Sequence, residues 1–286
     1  MLRMCSRRSL LKFVSAMLPL KAINASAGTF SFERENNENS WHPIADSFPS
    51  HPPELVREMV TVAHFNLSRV KELVDARPSL ARAAWDWGFG DWETALGAAS
   101  HMGNRAIAEY LIANGARPSL FSAAMFGQLE VIKAFIAAHP HLQRTRGPHG
   151  ISLLAHARAG GAVAHPVVDF LQSLGDADAD PTIPLGDDEI TALSGTYSFG
   201  LGVNQRIDVT ADRTLSKAWS YMYSPLTWTR KGTMGRPLVH LGGHVFYPAG
   251  APSVRIRFSE GKDGAFMTVD DSGLTLSARK DAAAQS

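Results

Sequence analysis

Cysteine is almost absent from this sequence. The 286 residues include one cysteine, Cys5, close to the N terminus. A single thiol cannot form an intramolecular disulfide, and it cannot supply the paired thiolates of a structural zinc site. The sequence therefore excludes a disulfide-stabilised scaffold and a cysteine-rich metal site.

Long hydrophobic runs are also missing. The apolar run near the N terminus, Phe13–Leu20, has eight residues, whereas a helix needs about 20 apolar residues to cross a bilayer. With 45% hydrophobic and 19% charged residues, the composition is that of a globular protein. The sequence therefore predicts no transmembrane helix.

The short apolar run lies in a segment that has the features of an export signal. It follows Ser6–Lys12, read as SRRSLLK, and it precedes Ala25–Ala27, read as ASA. The first string resembles the twin-arginine motif of exported bacterial proteins, and the second resembles an A-x-A cleavage site. This resemblance implies that residues 1–27 are a signal peptide, that the export machinery reads Arg7 and Arg8, and that the protein is periplasmic or secreted. An ordinary secretory signal with paired arginines is the alternative.

Clustered positive charge is not present either. The chain has 28 lysines and arginines and 27 acidic residues, for a formal net charge of +1. Removing residues 1–27 removes five basic residues and no acidic residue, which leaves a net charge of −4. Because nucleic-acid-binding proteins need a basic surface patch, we expect no nucleic-acid partner.

Helical periodicity is clearest between residues 94 and 118, read as TALGAASHMGNRAIAEYLIANGARP. Leu96 and Ala99 lie on one face of a first helix, and Gly103 ends that helix. A second apolar helix follows and closes at Gly115, because glycine accepts the left-handed conformation of a helix C-terminal cap. The pattern predicts two short helices that need neighbours to bury their apolar faces.

This stretch resembles one ankyrin repeat, with the pattern T-P-L-H-x-A-A-x-x-G followed by L-L-x-x-G-A. Less regular helix pairs centre on Asn66, Gly127 and Gly161. The resemblance implies an ankyrin-like helical solenoid over residues 51–175, preceded by a polar leader over residues 28–50. The third pair follows the second after 24 residues instead of about 33, so we expect one inter-repeat hairpin to be missing.

The pattern changes after the helices. Residues 176–189 are acidic and contain proline, as is typical of a linker, and from residue 190 the apolar period becomes two, as in Val254–Phe258. About nine short strands fit this β domain, residues 190–286, and predict a small antiparallel barrel or curved sheet. Leu193–Tyr197 resembles the L-x-G-x-Y opening of small β domains appended to penicillin-binding and β-lactamase-like proteins. The predicted fold class is α+β with two domains.

Complete catalytic motifs are absent. The chain has no G-x-S-x-G, H-E-x-x-H or K-T-G string, so we expect no enzyme and no cofactor. Among the 11 histidines, His240 and His244 flank a glycine turn, but two ligands without a third do not define a metal site. We therefore predict no metal, and we interpret His149 and His156 as structural residues of a turn.

The candidate binding residues lie in an aromatic loop, residues 85–92, read as WDWGFGDW. In the ankyrin family this segment is the finger that projects toward a partner, and exposed aromatic side chains commonly anchor interfaces. We predict that Trp87, Phe89 and Trp92 bind a partner together with His149 of a later loop. The alternative is that the aromatic side chains pack into the core.

The predicted function is non-catalytic binding of another protein in the bacterial cell envelope. The alternative is that the β domain encloses a small apolar ligand or a glycan fragment. A cavity lined by Trp219, Tyr221, Trp228 and Phe246 would favour this alternative, whereas a tightly filled barrel would favour protein binding.

Overall fold

A computed structural model describes residues 46–178, 180–201, 205–212 and 221–282. The predicted signal peptide, residues 1–27 with Arg7 and Arg8, lies outside the described residues, so the structure gives no support for export. Residues 46–286 form one compact unit. None of the helices in the described ranges has the length and apolarity needed to cross a membrane.

The N-terminal part of the compact unit is helical and contains one β-hairpin. The hairpin pairs β1 (Ala84–Asp86) with β2 (Trp92–Thr94). The helices are short, and 3-10 turns at Pro78–Arg82, Leu142–Arg144, Pro148–Gly150 and Gly161–Ala164 join several of them. Their bounds are α1 Pro53–Val62, α2 Leu67–Ala76, α3 Ala95–His101, α4 Arg105–Ala113, α5 Leu120–Met125, α6 Leu129–Ala138, α7 Leu153–Ala159, α8 His165–Ser173 and α9 Asp187–Leu193.

Side-chain caps and close backbone approach explain where these helices begin and how they pack. Thr94 Oγ1 accepts a hydrogen bond from the Gly97 backbone N–H at 2.9 Å, which caps α3. Gly103 has a φ of 70°, and a Cβ there would lie 2.1 Å from the backbone oxygen of Ala159. Glycine therefore lets the turn after α3 touch the end of α7.

The C-terminal part is a closed antiparallel barrel of eight strands. Each strand pairs with the next along the chain, and β10 pairs back with β3 to close the barrel. Large apolar side chains, among them Tyr197 and Phe246, are fully buried in its core. The strands are β3 Gly195–Ser198, β4 Arg206–Ala211, β5 Leu226–Arg230, β6 Arg236–Gly242, β7 Val245–Pro248, β8 Arg255–Gly261, β9 Gly264–Asp271 and β10 Leu274–Lys280.

The predicted ankyrin-like solenoid is wrong, and the identification as an ankyrin repeat protein is wrong with it. A solenoid repeats one unit that contacts only its neighbours, whereas the described residues of the N-terminal, helical part contain one hairpin, helices of six to ten residues and 3-10 turns at irregular intervals. The fold is α+β, with a closed eight-stranded barrel and short helices.

Contact with the barrel gives the physical reason for this difference. Ile151 and Ala155 of the helical part share a buried cluster with Tyr223, Val239 and Ala249 of the barrel part. Part of the apolar face that a lone helix pair leaves open is thus covered by the barrel. The spacing of apolar residues and glycines that suggested further repeats is the spacing of short helix pairs with one buried face. Burying such a face does not require a regular stack of repeats.

Candidate functional site

A buried carboxylate lies at the centre of the candidate site. Successive side chains of a strand point to opposite faces, and in β2 this alternation leaves Trp92 64% exposed and Glu93 fully buried. Glu93 is therefore directed into the protein, where a charge needs partners to offset its desolvation.

Four side chains surround the Glu93 carboxylate. Trp87 Nε1 donates a hydrogen bond to Glu93 Oε2 at 2.8 Å. His64 Nε2 lies 3.5 Å and His149 Nε2 lies 3.4 Å from the same oxygen, and His101 Nδ1 lies 3.2 Å from Oε1. We name Glu93 with these three histidines the His–Glu cluster.

The chain brings the three histidines together from separate elements. His64 lies in the turn after α1, His101 is the last residue of α3, and His149 lies in the 3-10 turn Pro148–Gly150. His149 has a φ of 59°, a left-handed conformation that is uncommon for residues other than glycine. The loop before α7 is thereby bent so that the imidazole faces β2.

The second ring nitrogen of two of these histidines is fixed by an acceptor. His64 Nδ1 lies 3.0 Å from the backbone oxygens of Val60 and Thr61. His149 Nδ1 lies 2.9 Å from Asp91 Oδ2. Because carbonyl and carboxylate oxygens only accept hydrogen bonds, Nδ1 carries a proton in both rings, and Nε2 faces Glu93.

Asp91 ties the His–Glu cluster to the barrel. It accepts the His149 backbone N–H at 2.9 Å and the Arg236 Nη2–H at 2.9 Å, and both side chains of the Asp91–Arg236 pair are more than 90% buried. Arg236, the first residue of β6, also donates to the backbone oxygens of Gly88 and Ala249. A buried ion pair of this kind requires these additional hydrogen bonds to offset desolvation.

Burial and mutual contact set the protonation of the cluster. Burial raises the pKa of the Glu93 carboxyl, but His101 and His149 outweigh burial, and the pKa lies well below its ordinary value. Burial lowers the pKa of His149, but hydrogen bonds to Asp91 and Glu93 raise it to about 9. Burial lowers the pKa of His101, and it lowers that of the neighbouring His156 to about 4. The carboxylate is therefore ionised at neutral pH, while His101 and His156 are neutral.

A cavity of about 390 Å³ opens beside the His–Glu cluster, between the helical part and the barrel. We name it the junction cavity. Its polar lining includes the imidazoles of His64, His101 and His149, and the guanidinium of Arg57. Apolar side chains, including Trp85, Trp87, Met102, Ile151 and Met234, form much of the remaining wall.

Three residues of the cluster have the donor atoms of a metal site. One ligand atom each from His64, Glu93 and His149 lies within 4.8 Å of the other two. Two of the three side chains, His64 and His149, also line the junction cavity. An ion held there would face a space large enough for a small molecule.

The predicted partner-binding residues have different surroundings. Trp87 and Phe89 are half-buried, with Trp87 bonded to Glu93 and the Phe89 ring 6.0 Å from the Trp228 ring. Trp92 is exposed, and His149 belongs to the His–Glu cluster. The structure thus brings Trp87 and His149 together, with ring centroids 6.1 Å apart, and directs Phe89 to the barrel. Partner binding by these residues stays a prediction.

The other histidines considered from the sequence serve local contacts. His240 Nδ1 lies 3.0 Å from the backbone oxygen of Ile183, and His244 lies 3.3 Å from Glu189. Sequence reasoning missed Glu93, His64 and His101 as site residues. For Glu93 the available signal was its position in a three-residue strand, between the aromatic Trp92 and the helix-capping Thr94.

Neither the known protein-family models nor the curated proteins give a match to the chain. The two family resemblances suggested by residues 94–118 and 193–197 gain no support from them. A fold alone does not define a function, and the His–Glu cluster and the junction cavity are the features of this chain that bear on it.

Proposed function

We propose that this protein binds a small, mostly apolar molecule in the junction cavity. The observation that carries the proposal is the meeting of three imidazoles, from His64, His101 and His149, at one largely apolar cavity of about 390 Å³. Small-molecule sites commonly have this composition, with a few converging polar groups in an apolar wall, and volumes of about 300–1,000 Å³.

The lining indicates the character of the ligand. The indole rings of Trp85 and Trp87 suit a flat apolar body, and Met102 and Met234 adapt their shape because methionine is unbranched and flexible. Met102 is 47% exposed and Met234 is 42% exposed, which places them where the cavity reaches solvent. The polar end of the ligand would then meet the imidazoles.

The proposed site differs from the barrel interior, which the sequence suggested as an alternative ligand site. Tyr197 and Phe246 are fully buried there, and Trp219 lies outside the described residues. The proposal also favours a small molecule over a partner protein, because the Trp87 N–H is engaged by Glu93 and the Phe89 ring packs against Trp228. Of the predicted aromatic anchors, Trp92 is the exposed one.

Binding of the fluorescent apolar anion anilinonaphthalene sulfonate tests the proposal. We expect saturable binding with one tight site on metal-free protein. Met102→Trp places a larger side chain at the cavity and should weaken binding at least about tenfold. Val163→Trp is the matched control, because Val163 is 60% exposed and does not line the junction cavity. Equal binding by both variants, or no saturable binding by the wild type, would contradict the proposal.

A further inference from the structure

One carboxylate oxygen of the His–Glu cluster faces three nitrogen atoms. Glu93 Oε2 accepts a hydrogen bond from Trp87 at 2.8 Å. The Nε2 atoms of His64 and His149 approach it at 3.5 Å and 3.4 Å, beyond the usual range of about 2.7–3.2 Å for N–H···O bonds. Because Nδ1 of each ring is directed to another acceptor, both Nε2 atoms are directed to Glu93 Oε2, and three potential ligand atoms converge there.

We propose that His64 Nε2, His149 Nε2 and a Glu93 carboxylate oxygen bind a divalent first-row transition metal ion. In a tetrahedral zinc site the metal–ligand bonds are about 2.0–2.1 Å, which puts ligand atoms about 3.3–3.4 Å apart. The two histidine–carboxylate separations of 3.4 Å and 3.5 Å are close to this spacing. Imidazole and carboxylate donors suit zinc, iron, cobalt and nickel better than calcium or magnesium.

The surroundings of the three ligands support the same inference. Metal-bound histidines usually donate their other N–H to a backbone carbonyl or a carboxylate. His64 donates to the backbone oxygens of Val60 and Thr61, and His149 donates to Asp91. The Trp87 N–H holds the Glu93 carboxylate in the same way. Each ligand is thereby oriented by a hydrogen bond to a neighbouring group.

The position of the three ligands points to an open metal site. Structural zinc sites use four protein ligands, whereas sites that act on small molecules use three and leave one position for water or substrate. His64 and His149 line the junction cavity, so the remaining coordination position faces a space that a small molecule can enter. An ion there would act as a Lewis acid on an oxygen or nitrogen atom of that molecule.

Metal titration of the tag-free full chain tests the inference. After chelator treatment, calorimetry with zinc and with cobalt should show one ion per chain, and bound cobalt should give the strong visible absorption of a four-coordinate site. His64→Asn and Glu93→Gln should each weaken zinc binding at least about tenfold. Absence of one-to-one binding by the wild type would overturn the inference, as would wild-type affinity in a folded His64→Asn variant.

Two controls separate this site from other sources of binding. His139 and His141 are exposed and close in sequence, so His139→Asn with His141→Asn tests surface chelation. The inference requires that this double variant bind zinc like the wild type, and loss of the ion in it would overturn the inference. The metal inference does not depend on the proposed function, because the dye is measured without metal and zinc without dye. Failure of one measurement therefore leaves the other interpretable.

Discussion

Replacing Asp91 by asparagine tests how firmly the helical part is bonded to the barrel. Asp91 accepts three hydrogen bonds, two from His149 and one from Arg236, each at 2.9 Å. Asparagine keeps one acceptor oxygen and places an NH₂ group against a donor. It also leaves the Arg236 guanidinium, with 7% of its side chain exposed, without its carboxylate partner. Breaking a buried pair in this way costs about 3–5 kcal/mol of unfolding free energy.

Urea unfolding of metal-free protein, followed by tryptophan fluorescence and by circular dichroism, measures this cost. Arg236→Met removes the buried positive charge as well as the ion pair. The loss of unfolding free energy in the double variant Asp91→Asn with Arg236→Met should therefore be about 2 kcal/mol smaller than the sum of the losses in the two single variants. Glu58→Gln is the control, because the Glu58–Arg69 pair is exposed and such pairs contribute about 1 kcal/mol or less. An Asp91→Asn cost close to that of Glu58→Gln, or strictly additive variants, would show that the Asp91–Arg236 pair does not stabilise the fold in this way.

Two further predictions concern backbone packing and pH. Gly103→Ala should destabilise the protein by more than about 2 kcal/mol in urea unfolding, because the new Cβ would lie 2.1 Å from a backbone oxygen of α7. Gly115→Ala, which also has positive φ but meets nothing within 4 Å, should cost about 1 kcal/mol; equal costs would argue against close packing at Gly103. Burial lowers the pKa of His156 to about 4, and the unfolded value is about 6.5. Because the unfolded chain then binds the proton first, roughly 3 kcal/mol of stability is present above pH 6.5 and is lost as the pH falls toward 4. The His156→Asn variant should flatten this part of the stability curve, and an unchanged curve would show that His156 does not cause it.

Local features of the fold were predictable because they depend on neighbouring residues. Gly103 and Gly115 were predicted to end helices, and both have positive φ, 70° and 92°. Segments such as Val254–Phe258 alternate apolar and polar residues because one face of a strand lies in the core, and most of that stretch is in β8. Periodicity therefore located helices and strands from the sequence.

The assembly of these elements was not predictable in the same way. Short helix pairs must bury their apolar faces against another element. The sequence pattern does not indicate whether that element is another repeat or a barrel. Ile151 and Ala155 contact barrel residues such as Val239, more than 80 positions away in the chain. The solenoid prediction failed at this step.

The candidate site could not be predicted from the sequence for a related reason. Glu93 lies 29 residues from His64 and 56 residues from His149, so no short spacing motif joins the proposed metal ligands. Each residue also has an ordinary local role, in a turn after a helix, in a short strand or in a 3-10 turn. Tertiary packing alone brings their donor atoms within 4.8 Å of one another.

A crystal structure of zinc-soaked protein, with anomalous diffraction data collected at the zinc edge, would test the proposed metal site directly. We expect an anomalous peak within about 2.0–2.2 Å of donor atoms of His64, Glu93 and His149, with a further coordination position open to the junction cavity. A structure with no peak at these three residues, or with zinc only at surface histidines such as His139 and His141, would contradict the proposed site.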